Sequence, residues 1–101
     1  MTGDARLDSL SSALRAHHMH ELIFEWTGLS YRGLVHDFMY PDDLGATYGG
    51  WVVYVREVLE DSGRTVGGVR PSSGKPSEVS LHDPPVRVTT LNGEVVWEHS
   101  R

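Results

Sequence analysis

The spacing of apolar residues changes once near the amino terminus, and that change limits the fold more than any other feature of the chain. Leu7, Leu10 and Leu14 recur at helical period, whereas Leu22, Phe24 and Trp26 stand at alternate positions, the period of a strand. Extending the helical face beyond Leu14 lands on His17, His18, Glu21 and Glu25, all polar. The pattern predicts a helix over residues 5–18 followed by a strand over residues 20–27, with Asp4 as an N-cap. The competing expectation is one unbroken helix through Trp26.

Further along, Thr27-Gly28-Leu29-Ser30 suits a turn, and Tyr31–Tyr40 suits a second extended segment or a short helix that Pro41-Asp42-Asp43 terminates. Trp51–Leu59 is rich in β-branched and aromatic residues and predicts a strand, although Trp51, Val55, Val58 and Leu59 also stand at helical spacing. A turn at Glu60–Gly63 is expected to return the chain through Arg64–Val69 as a hairpin. Residues 71–77 have loop composition and are expected to be mobile, and Glu78–Leu81 reads as a short edge strand. Asn92-Gly93 between Val86–Leu91 and Glu94–His99 predicts a hairpin closed by a type I′ turn. With the register left open, this hairpin is expected to present Val86, Val88 and Thr90 against Glu94, Val96 and Glu98 on one face. On the other it sets Arg87, Thr89 and Leu91 against Val95, Trp97 and His99. Both faces carry apolar groups, which implies a sheet covered on both sides or a contact with another chain.

At 101 residues the chain suits one domain, 1–101, with residues 1–4 as a frayed end. The expected class is α+β: an N-terminal helix, then a small, strongly bent antiparallel sheet or barrel of about five or six strands. The chain has no cysteine, so it has neither a disulfide framework nor a thiolate site. The polar, acidic start does not resemble a secretory signal and no apolar run is long enough to span a membrane, so the expected location is cytoplasmic, with no membrane partner. A formal net charge of −5, with basic residues scattered singly, argues against nucleic acid as a partner.

His18 and His20, two apart on a strand, project the same way, as paired imidazole ligands of one metal do. With Glu25 they form the candidate site for a divalent transition metal; no other cofactor is expected. The order His18-x-His20 followed by Glu25 resembles the ligand half of the cupin signature, although Ser12 stands where that pattern has glycine and the second cupin motif is not present. That resemblance implies an alternative function, a small metal-binding β-barrel enzyme. The plainer expectation for these imidazoles is a solvated helix end, where they interact favourably with the helix dipole. Gly67–Pro76 does not make a phosphate loop, because Val69 holds the first glycine position and Pro76 replaces the magnesium-binding hydroxyl. His20-Glu21-Leu22-Ile23-Phe24 lacks the second histidine of a zinc-protease helix.

Most aromatic rings are expected in the core. Phe38, Tyr40, Tyr48, Trp51 and Trp97 are candidates to line a groove or partner surface, where amphipathic rings are favoured. The leading expectation is a non-catalytic acidic interaction module that binds a protein partner or associates with its own copy.

Overall fold

The computed structural model describes residues 5–39, 50–66, 70–80 and 83–99. A helix α1 (Ala5–Ala16) precedes six strands: β1 (Glu21–Trp26), β2 (Leu29–Met39), β3 (Gly50–Asp61), β4 (Pro76–Ser80), β5 (Arg87–Thr89) and β6 (Val95–Glu98). The strands form one antiparallel sheet in the order β4-β3-β2-β1-β5-β6. The fold is therefore broadly α+β with the helix as the minor part. The sheet is open and not closed into a barrel, because β4 and β6 end it as edges.

Helical period gives way to strand period at the expected place. The helix stops two residues earlier than its spacing suggests, and His17–Met19 form a turn. Met19 adopts a left-handed backbone (φ 66), a conformation that strains a residue with a side chain. Its N–H donates to Val35 O at 2.7 Å, and Val35 N–H donates to His20 O at 3.0 Å. The turn is thus tied to β2, and β1 starts flush against it.

β1 alternates without a break. Leu22, Phe24 and Trp26 are buried, while Glu21, Ile23 and Glu25 are half-buried on the opposite face. Leu29, Tyr31 and Val35 of β2, Trp51, Val53 and Val55 of β3, Val79, Val88 and Trp97 complete the inner face, which Leu10 and Leu14 of α1 join. Each buried large side chain contributes about 1.5–3 kcal/mol by leaving water. The three indoles all find acceptors: Trp97 Nε1 donates to Ser9 Oγ at 2.8 Å, Trp51 Nε1 to Ser11 Oγ at 3.2 Å and Trp26 Nε1 to Asp83 O at 3.0 Å. Two serines on α1 therefore fasten the helix to rings at opposite ends of the sheet.

Three expectations need correction. The partner of β3 beyond β2 is β4, and Arg64–Val66 adds no strand beside it; residues 67–69 lie outside the described set. The expected loop 71–77 is not irregular throughout: Pro76 and Ser77 already belong to β4, and before them Gly74 N–H donates to Val55 O and Val55 N–H donates to Lys75 O. Proline is tolerated there as the first residue of an edge strand. Finally, the last hairpin does not close through a type I′ turn. Only Gly93 has positive φ; its N–H donates to Thr90 O, and Thr90 N–H donates to Glu94 O. This is a three-residue loop with glycine in the left-handed position, the kind that ends in a bulge. Beyond the loop the register slips between Val88 and Thr89, and Val88 faces Trp97 where Val96 was expected.

Tyr31 is completely buried and packs against Phe24 and Trp26, with ring centroids 5.5 Å away in each case. Among the described residues no group meets its hydroxyl at hydrogen-bonding geometry, although nearby Ser77 offsets part of the burial. Burial pushes the phenol well above its usual pKa. Above about pH 10 the unfolded chain releases this proton while the folded chain keeps it, so stability falls as pH rises, by roughly 1.4 kcal/mol per pH unit. Tyr31→Phe is expected to be neutral or stabilising by up to about 1 kcal/mol at pH 7, because it removes a buried group without a partner. The variant should also lose stability less steeply above pH 10 in urea titrations. A loss of about 2 kcal/mol at pH 7 would show instead that the hydroxyl is well bonded.

Candidate interaction surface

The face of the sheet opposite α1 carries rows of side chains that run across the strands. One row is charged. Glu25 on β1 faces Arg87 on β5, and Arg87 in turn faces Glu98 on β6. The guanidinium grips Glu25 with both arms, Nε at 2.8 Å from Oε2 and Nη2 at 3.3 Å from Oε1. The Glu25 hydrogen bonds and charge raise the Arg87 pKa above its ordinary value, and the charge of Glu98 adds a smaller pull. The neighbouring row is apolar in character: Ile23 on β1, Thr89 on β5 and Val95 on β6. Farther along, Arg32 Nε and Arg56 Nε approach Glu21 at 3.5 and 3.7 Å, charge contacts longer than hydrogen bonds. The His36 ring stands edge-on to Tyr54 at 4.9 Å.

The β5–β6 hairpin is the apolar end of this surface. Leu91 and Val95 remain 51% and 56% exposed, and Val86, just before β5 on the side of Val88, remains 43% exposed. An open cleft of about 440 Å3 is lined by Val86, Arg87, Glu98 and His99.

The candidate metal ligands do not come together. His18 lies exposed in the turn after α1, so it does not share a strand with His20, which precedes β1. Glu25 is engaged by Arg87. His17 Nδ1 lies 2.9 Å from Ala13 O, and its ring meets that of His20 edge-on at 6.1 Å, close to the plain picture of imidazoles at a helix end. His36 is on β2 and His99 follows β6 beside Trp97. Among the described residues no group of three or more His, Cys, Asp or Glu is placed to hold a metal ion.

The candidate groove residues separate as well. Trp51 and Trp97 belong to the core rather than to a surface, 3% and 7% exposed, each bonded to a serine of α1. Phe38 lies in β2. Tyr40, Tyr48 and His82 lie outside the described residues. Sequence reasoning missed the Glu25–Arg87–Glu98 row, because the faces expected for the hairpin put Arg87 and Glu98 on opposite sides. The available signal was Gly93 placed after the three-residue string Thr90-Leu91-Asn92, which suits the bulged loop.

Among the described residues no helix is long and apolar enough to cross a membrane. Comparisons with protein-family models, with curated proteins and with solved structures find no match to this chain.

Proposed function

We propose that this chain is a protein-interaction module whose binding surface is the β5–β6 hairpin. The observation that carries it is the exposure of three branched apolar side chains, Val86, Leu91 and Val95, on one short hairpin at an open end of the sheet. Leaving such groups in water forgoes the stabilisation that burial would bring, and their concentration at one place is the usual mark of an association surface. The charged row beside them supplies the polar rim that interfaces carry around an apolar centre.

A photo-crosslinking residue at position 95 tests this in the protein's own cells. The expected result is a discrete protein adduct from position 95 that is lost when Leu91 is changed to Lys. The same residue at position 59, where exposed Leu59 lies far along β3, should not give that adduct. No discrete adduct from 95, or the same adduct from both sites, would remove the hairpin as the binding surface.

A further inference from the structure

We infer that the outer edge of β6 accepts an added strand from a partner protein, an extended segment with a basic and an apolar residue at alternate positions. This inference rests on the interaction-module reading and names the partner that the same surface would take.

β6 is the last strand of the sheet, so among the described residues one side of its backbone has no strand beside it. His99 N–H donates inward to Val86 O, and the alternation of a strand turns the amide of Glu98 outward. An extended chain docking on such an edge gains affinity from main-chain hydrogen bonds and specificity from alternate side chains. The two cross-strand rows define those side chains. Glu25, Arg87 and Glu98 alternate in sign across β1, β5 and β6, so the next place in the row calls for a cation beside Glu98. Ile23, Thr89 and Val95 form the adjacent row, and the next place there lies beside a valine side chain 56% exposed, which calls for an apolar group. The cleft lined by Val86, Arg87, Glu98 and His99 leaves room for a long side chain at the charged place.

A second copy of this chain does not fit. Its two edge strands read Val-Val-Trp-Glu and Pro-Ser-Glu-Val-Ser, and neither contains a lysine or arginine. Two β6 edges paired antiparallel about Val96 would set Glu94 opposite Glu98, a like-charge contact that opposes association. The occupant is therefore a different protein, basic where this edge is acidic.

The test uses the full chain and a capped synthetic peptide of repeating arginine-serine-valine-serine, which sets arginine and valine in turn at alternate positions along one face. Two control peptides have the same composition: one with its arginines blocked together, and one N-methylated on every second amide. Amide exchange by NMR and titration calorimetry are read together. The alternating peptide should protect the β6 amides and bind at least about tenfold more tightly than either control. Glu98→Arg should weaken it by about tenfold or more and create binding of a glutamate–valine peptide. Equal affinity for the N-methylated peptide, or no effect of Glu98→Arg, would overturn the inference by reducing the contact to general charge attraction. Protection at another strand would also overturn it. Each of these failures leaves position-95 crosslinking as an independent measure of whether the hairpin binds protein at all.

Discussion

Trp97→Ala is expected to remove about 3–5 kcal/mol of folding free energy, as truncation of a large buried ring does. Domains of this size commonly hold about 5–15 kcal/mol in total, so the variant should sit close to unfolding at 37 °C. The loss is large because Trp97 has two roles. It fills the inner face beneath β5, opposite Val88, and its indole N–H holds Ser9 at 2.8 Å, next to Leu10 and one turn before Leu14. A twelve-residue helix is marginal in water without such packing, so far-UV circular dichroism should lose helical signal in step with tertiary signal. Trp97→Phe keeps most of the ring and should cost about 1–2 kcal/mol. Ser9→Ala should cost less in the Trp97→Phe background than in the parent, since the two groups act on one hydrogen bond. An alanine variant that lost less than about 1.5 kcal/mol would show that α1 is held elsewhere.

What the sequence disclosed follows from which interactions are local. Leu22, Phe24 and Trp26 alternate because one face of β1 is buried along its whole length, and a period of two survives in the sequence without knowledge of any partner. The same holds for the change at Met19, where two local periods meet. A bulge depends on the strand across from it. β2 and β3 slip register at three places, between Ser30 and Tyr31, Arg32 and Gly33, and Val35 and Asp37, and no spacing within either strand announces them. One further slip in the last hairpin moved Glu98 onto the face of Arg87, and with it the charged row that marks the candidate surface. Ring identity was equally silent. A tryptophan suits a groove or a core, and what decided Trp51 and Trp97 was a pair of serines on the polar side of a distant helix. The histidines were conspicuous in sequence because three lie within four positions, yet the turn between helix and strand spreads His18 and His20 over different backbone geometry.

Gly33→Val reverses an ordinary rule and should be the most damaging single addition to the sheet. Glycine inside a strand normally costs stability relative to alanine, by about 0.5–1 kcal/mol, and a β-branched replacement normally helps. Gly33 lies on the buried face of β2 between Tyr31 and Val35, paired with Leu22 on one side and Val55 on the other. A Cβ added there would collide with Cγ1 of Val53 and stand 3.2 Å from both Tyr31 Cε1 and Tyr54 O. The backbone oxygen cannot rotate away, and Tyr31 is held by Phe24 and Trp26. Overpacking of this kind costs about 1–3 kcal/mol for a single methyl and more for a branched side chain. Gly33→Ala should therefore lose about 2 kcal/mol in urea unfolding, and Gly33→Val about 3 kcal/mol or more. Leu34→Val, one residue along on the half-buried outer face, should change stability by less than about 1 kcal/mol. The collision partner makes the cause separable from general strain. In a Val53→Ala background the methyl of Gly33→Ala enters space that Cγ1 has vacated, so the double variant should be more stable than the sum of the two single losses by about 1 kcal/mol. Strict additivity, or a Gly33→Ala variant more stable than the parent, would mean that β2 and β3 do not approach as closely as the bulge at Arg32 brings them.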